Sequence, residues 1–405
     1  MWIYNVIISI YGIGIYLLSF FNAKAKKWII GRSAIESQYP IVDKENVIWF
    51  HCASLGEFEQ AKPVIENWKL HFPNDYILIT FFSPSGYEIQ KNNSLAHYCC
   101  YLPLDTPKNA SNFIHHFKPQ KAFFVKYEFW LNYINIAAQN NCQLYSISTL
   151  LRSNQRFFKW YGGIFKRALR SFDHFFVQNK NTFELLKKLG IDKVTISGDT
   201  RYDRVIQRSK ESKGNIIIES WINSDDVTLI IGSCWSDDLE ILIPFINSNK
   251  IYNKYILAPH QIDKQQISSI QNRLQASCEL YLDCQEKNNI QADTKVVIIN
   301  CIGILAEIYK YGKIAYVGGG FHGALHNILE PAAFGLPVLF GPKFKKFPEA
   351  SQFLSEQIGK SIEKSDQLIE ESTNFVANHA SLSTKSFKFI ESQSGATKII
   401  LNYFC

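Results

Sequence analysis

Glu57 stands just beyond the apolar run Val47–His51, in Cys52-Ala53-Ser54-Leu55-Gly56-Glu57. A carboxylate placed where a strand turns into a helix can take a proton from an incoming hydroxyl. The same S-x-x-E spacing is also a capping box, in which Glu57 only satisfies the helix end. Pro63 implies that this helix is kinked or starts late. Glu128 follows the run Lys121–Val125, in Lys126-Tyr127-Glu128-Phe129-Trp130. A carboxylate among flat apolar faces suits a sugar, whereas a surface glutamate at a strand end needs no explanation. Arg201 lies in Gly198-Asp199-Thr200-Arg201-Tyr202-Asp203. Its paired N–H donors can hold a phosphate or a carboxylate; the plain alternative is an ion pair with Asp199 or Asp203.

A second set of groups lies in residues 313–350. The apolar run Ile314–Val317 ends in Gly318-Gly319-Gly320, and a helix around Glu330 to Phe334 precedes the next run, Pro337 to Phe340. Such a strand–turn–helix lets backbone N–H groups approach a phosphate. Asn327 and Glu330 are placed to bond a ribose or base, or, by N-x-x-E spacing, to cap the helix. His322 and His326 have i, i+4 spacing but lack the flanking carboxylate of a metal motif. No metal site is expected.

Positioning these groups requires parallel α/β sheets. Apolar runs at Val47–Phe50, Tyr76–Phe82, Lys121–Val125, Gln143–Ile147, His174–Val177 and Val194–Ile196 form one series. Val227–Ile231, Tyr255–Ala258, Val296–Ile299, Ile314–Val317 and Val338–Phe340 form another. Buried runs alternating with helical patterns predict two doubly wound domains, with ligands at the carboxyl ends of the strands. The expected division is an N-terminal segment 1–32, a first domain 33–206, a linker 207–220, a second domain 221–385 and a C-terminal helix 386–405 that packs back across the domains.

Residues 2–21 are almost wholly apolar, and Lys24, Lys26, Lys27 and Arg32 follow them. This order is the reverse of a signal peptide. It predicts a membrane anchor or an interfacial helix with the rest of the chain on the cytoplasmic side. The stretch Arg152 to Arg170 interleaves basic residues with Phe157, Phe158, Trp160, Tyr161 and Phe165. That mixture suits a lipid headgroup or a phosphorylated lipid, and without an RNA-binding signature it does not predict nucleic acid. The net charge of +7 is modest. Nine scattered cysteines without a CxxC pair point to a reduced compartment and away from zinc.

Taken together, Ser54-Leu55-Gly56-Glu57, Glu128-Phe129-Trp130, Gly198 through Asp203, Gly318-Gly319, His326 through Pro331 and Phe340-Gly341-Pro342 resemble the bacterial 3-deoxy-D-manno-octulosonic acid (Kdo) transferases. The resemblance implies the GT-B fold, two Rossmann-like α/β domains facing a central cleft. It implies an inverting transfer from CMP-Kdo to a lipid A precursor of the lipid IVA type, at the cytoplasmic face of the inner membrane, with no cofactor and no catalytic metal. Glu57 matches the family's general base, and Glu128 and Arg201 match positions implied to stabilise the transition state. Donor contacts fall on Pro259, His260, Ile302, Gly303, Ile304, Gly319, Asn327, Ile328, Leu329 and Glu330. At four of the matched positions the chain departs from the pattern. His260 replaces an arginine, Ile304 a glutamate, Arg201 a lysine, and Lys126 a glutamate. Lys343, Lys345 and Lys346 offer a compensating basic patch. The alternatives on the same fold are a UDP-sugar transferase, a nucleotide-sugar epimerase, or a non-catalytic lipid A-binding protein.

Overall fold

The computed structural model describes residues 1–248 and 250–405. Two compact units emerge: residues 1–204 with 394–405, and residues 205–393.

The first unit holds seven strands: β1 (Val47–Cys52), β2 (Tyr76–Phe81), β3 (Tyr98–Tyr101), β4 (Lys121–Val125), β5 (Gln143–Thr149), β6 (His174–Val177) and β7 (Val194–Ile196). Their order is β3-β2-β1-β4-β5-β6-β7, all parallel. Every residue of β1 is buried, as a strand covered by helices on both faces must be. The strand order reverses between β1 and β4, so the crevice of this sheet opens where those two strands end. Glu57 follows β1 and Glu128 follows β4.

The second unit holds β8 (Thr228–Cys234), β9 (Lys254–Pro259), β10 (Cys278–Leu280), β11 (Val296–Ile298), β12 (Ile314–Val317), β13 (Val338–Phe340) and β14 (Gly359–Ser361). The order is β10-β11-β9-β8-β12-β13-β14, again parallel. Its reversal lies between β8 and β12, so Trp235 and the glycine turn share the crevice end.

Several expected boundaries fall elsewhere. The helix Leu55–His71 starts directly after Ser54 and carries Pro63 inside it. Proline removes one N–H from the helix ladder, and nearby the Gln60 carbonyl accepts the Thr200 hydroxyl at 2.6 Å. The expected linker 207–220 is largely helical, in Thr200–Glu211 and Ile216–Trp221. Only the end of the chain belongs to the first unit, where Asp203 accepts the Gly395 and Thr397 N–H groups at 2.5 and 2.7 Å.

The N-terminal apolar stretch forms the helix Trp2–Leu18, followed by Ala23–Ile30. At 1.5 Å per residue the first is about 26 Å long. Among the described residues no helix is long and apolar enough to cross a membrane. Tyr4 and Ile8 are buried, while Trp2, Ile3, Ile7, Ile10, Ile13, Leu17 and Leu18 are exposed. The Tyr4 hydroxyl donates to Asp105 at 2.5 Å. Asp105 also accepts the Asn132 and Tyr133 N–H groups, so it joins this helix to the start of Leu131–Gln139.

Candidate active site

Ser54 is the N-cap of the helix Leu55–His71, and Glu57 occupies the third helical position. The Ser54 N–H donates to Glu57 Oε2 at 3.2 Å. The capping box is therefore real, yet it does not exhaust the residue. Glu57 is only 7% exposed. Burial, and then the neighbouring Glu128 carboxylate, push its pKa from 4.5 up to about 8, against the opposing charge of Lys126. Glu128 is raised too, by burial and against Lys126. Glu57 therefore titrates beside a second carboxyl that is itself raised. A carboxyl poised near neutrality is suited to accept a proton from a hydroxyl.

Lys126 is thus a member of this group. It takes a positive φ of 62°, and its N–H bonds the Ile147 carbonyl at 3.0 Å. That left-handed turn follows β4, and Glu128 beyond it is near enough to act on the charge of Glu57. Trp130, two residues on, donates its indole N–H to His51 Nε2 at 2.9 Å. An indole N–H can only donate, so the His51 proton sits on Nδ1, which lies 2.9 Å from Thr80 Oγ1. Burial, then the Arg32 charge, lower His51 to about 3. His51 is a neutral relay that fixes Trp130 beside Glu128. Sequence reasoning passed over it, although its position at the carboxyl end of β1 was the available signal.

Arg201 pairs with Asp199 rather than Asp203. Its guanidinium reaches Asp199 Oδ2 at 2.8 and 2.9 Å, and its own N–H donates to Oδ1 at 2.9 Å. Asp199 also accepts from Gln60 at 3.0 Å. Burial alone would raise the Asp199 carboxyl, but Arg201 and these donors hold it below the usual range. Arg201 is therefore tied, through Asp199 and Gln60, to the helix that presents Glu57.

Beside this group a cavity of about 700 Å³ is lined by Tyr4, Ile8, Glu128, Trp130, Arg152, Arg156, Phe157 and Phe165 among others. The basic–aromatic stretch forms one wall and the N-terminal helix another. Trp160 lies out in solvent, 93% exposed.

In the second unit the glycine turn is built for close approach. Gly319 has φ of 87°, and a Cβ there would meet the Ala324 carbonyl oxygen at 2.3 Å; a Cβ on Gly320 would meet Gly341 N at 2.4 Å. The Gly319 N–H is not open to a phosphate, because it donates to Asp238 at 2.9 Å. Asp238 is fully buried and also accepts the Trp235 N–H and the Tyr316 hydroxyl, each at 2.8 Å. The turn is closed by this carboxylate, to which no motif in the sequence drew attention.

The N-x-x-E spacing does not close a capping box: Ile328 is the N-cap of the helix Leu329–Ala333 and has no side-chain cap, while Asn327 makes a local turn two residues on. Asn327 Oδ1 accepts the Leu329 N–H at 3.1 Å, and its amide donates to Glu330 Oε1 at 3.3 Å. Glu330 also meets Arg208 at 3.5 Å. Ile328 and Leu329 are buried in packing. Pro259 ends β9, buried, with His260 exposed beyond it. Ile302 is 87% exposed, Gly303 has φ of 104°, and Ile304 is half-buried against the core. The carboxyl ends of β11, β9 and β12 thus carry Ile302–Ile304, Pro259–His260 and Gly319.

Residues 30–204 match the family model described as 3-deoxy-D-manno-octulosonic-acid transferase (kdotransferase). The chain is 27% identical over 341 residues to the 3-deoxy-D-manno-octulosonic acid transferase of Aquifex aeolicus, covering 82% of this chain and 87% of that one. This chain is similar to Kdo transferases over most of its length. The Kdo transferase of Chlamydia muridarum is 25% identical over 385 residues, with 87% of each chain covered. The fold is similar to that of a UDP-GlcNAc 2-epimerase from Neisseria meningitidis, with a TM-score of 0.63, 15% identity, and 88% and 98% of the two chains covered. At that identity the likeness concerns the fold alone.

Proposed function

We propose that this protein is an inverting glycosyltransferase that moves Kdo from CMP-Kdo to a lipid A precursor in lipopolysaccharide core biosynthesis. The observation that carries the reading is the buried Glu57 carboxyl at the end of β1, raised to about 8 beside Glu128 and Lys126, in a chain related to Kdo transferases over most of its length. The Glu57 carboxylate takes the proton of an acceptor sugar hydroxyl. That oxygen attacks the anomeric carbon of Kdo, the bond to the CMP phosphate breaks, and CMP leaves with the electron pair. No covalent enzyme intermediate forms, so the anomeric configuration inverts.

Glu128 and Arg201 are assigned to the developing charge, and no catalytic metal is invoked. The first unit holds the acceptor in the cavity beside Glu128, where Arg152 and Arg156 suit anionic groups and the aromatic walls suit sugar and acyl faces. The second unit holds the donor at the ends of β9, β11 and β12. The exposed apolar face of Trp2–Leu18, with Lys24, Lys26 and Lys27 beyond it, supports an interfacial seat on the cytoplasmic face of an anionic inner membrane.

The test is CMP release from CMP-Kdo by detergent-solubilised protein, with and without a tetra-acylated lipid A precursor, read together with the mass of the lipid. Acceptor-dependent CMP release with a Kdo-sized mass gain, lost in Glu57→Ala with donor binding intact, is the expected result. Lipid binding without turnover would sink the reading.

A further inference from the structure

Three imidazoles surround one indole at the crevice end of the second sheet, and they are not chemically equivalent. Trp235 follows β8 and donates its indole N–H to His326 Nε2 at 2.9 Å. Because that N–H can only donate, Nε2 must accept, and the His326 proton is confined to Nδ1. His326 is thereby locked neutral; burial, and then His260, lower it to about 4. His322 lies parallel to the indole at 5.3 Å, with its Nδ1 3.2 Å from Asp237.

His260 is the third. Its backbone N–H is pinned to the Cys234 carbonyl at 2.8 Å. Its ring is stacked on the indole, with centroids 4.1 Å apart and planes 12° apart, and lies 4.8 Å from the His326 ring. The residue is exposed at the end of β9. It is held in place by stacking at the carboxyl end of β9.

We propose that His260, presented on the face of Trp235 beside the locked His326, contacts the donor's phosphate diester and that donor binding takes up a proton on this imidazole. The proposal rests on the donor reading given above and adds the chemistry of one contact. A guanidinium, which the family pattern has at this position, keeps its charge at any working pH. An imidazole packed against an indole does not: burial lowers His260 below its ordinary value, so the free protein holds it neutral near pH 7. A bound anion favours the charged form and draws a proton in.

The sign follows directly. The complex binds more protons than the free protein, so affinity rises as pH falls. The other titratable groups around the cluster are His326, His322, Asp237 and Asp238. His326 is occupied by the indole N–H, His322 already faces Asp237, and Asp238 is buried among its three donors. Of these groups His260 is the one that stands at the end of β9, among the strand-end residues assigned to the donor.

The test uses the full-length protein in detergent and the methyl ester of CMP, a phosphodiester whose phosphate carries the same charge across the pH range used. Calorimetric titration in two buffers of different ionisation enthalpy counts the protons taken up. Binding that tightens up to about tenfold per pH unit between about pH 8 and about pH 6, with up to one proton absorbed, is expected. In His260→Arg the proton uptake disappears and binding at about pH 8 is roughly tenfold tighter than in the wild type. In His260→Gln binding is weak and flat with pH. An unchanged pH dependence in His260→Gln, or binding without proton uptake in the wild type, overturns the proposal. No binding of the ester at any pH overturns the donor reading, and the proposal falls with it.

Discussion

The Glu57 carboxyl has a consequence for stability as well as for catalysis. Its pKa rises from 4.5 to about 8 on folding, which corresponds to a preference for the neutral form of about 5 kcal/mol at roughly 1.4 kcal/mol per pH unit. Between those two values the folded protein keeps the proton and the unfolded chain loses it. Stability from this group is therefore fully present below about pH 4.5, falls by about 1.4 kcal/mol per pH unit, and levels off above about pH 8. Glu57→Gln keeps an acceptor for the Ser54 N–H and removes the titration. The assay is urea unfolding of wild type and Glu57→Gln from about pH 5.5 to about pH 9, read by tryptophan fluorescence. The stability gap, in favour of glutamine, should widen with pH up to about 8 and then stay constant. The same ionisation governs the rate. At pH 7 about one Glu57 in ten carries the charge, so kcat/KM for the acceptor, measured at saturating donor, should rise about tenfold per pH unit to a plateau near pH 8, and Glu57→Gln should abolish it. A stability gap that does not change with pH, or an acid limb centred near pH 4.5, would refute the argument that burial and Glu128 hold this carboxyl protonated.

Asp238→Asn leaves one of the three donors of Asp238 without an acceptor and turns an amide N–H toward them. It should cost about 2–3 kcal/mol and lower the thermal midpoint, with donor affinity falling as the Gly319 turn loosens. Replacing Ile7 and Ile10 together by Asp, both exposed on Trp2–Leu18, should leave the thermal midpoint within a degree or two. The same change should reduce co-sedimentation with anionic phospholipid vesicles several-fold, because the substituted face loses apolar area and gains like charge. Unchanged vesicle binding would remove the interfacial role of this helix.

Much of the architecture was legible in the sequence because it is written locally. The apolar runs recognised there became β1, β2 and β4 to β9, together with β11, β12 and β13. The strands that escaped, β3, β10 and β14, all lie at sheet edges. Edge strands are short and face a sheet on one side only, so they carry weak apolar patterning; Cys278-Glu279-Leu280 and Gly359-Lys360-Ser361 show no run at all. Pro63 misled in the other direction. Proline biases a helix boundary, but tertiary packing accommodated the broken ladder inside Leu55–His71.

The sequence by itself determined which residue types stand at the strand ends, since a strand followed by Ser-x-x-Glu or by a run of glycines is a local pattern. It left each of those residues with two roles. For Asn327 and Glu330 no capping box forms: Asn327 makes a local turn to the Leu329 N–H, and Glu330 meets Arg208. For Glu57 the cap and the perturbed carboxyl coexist. Tertiary structure decided the difference, because ionisation depends on burial and on charges that approach only when β1 and β4 pair across the reversal of the sheet. The neutral states of His51 and His326 were settled in the same way. Each is fixed by an indole N–H from a residue far away in the chain, Trp130 or Trp235, and no spacing of residues encodes that contact.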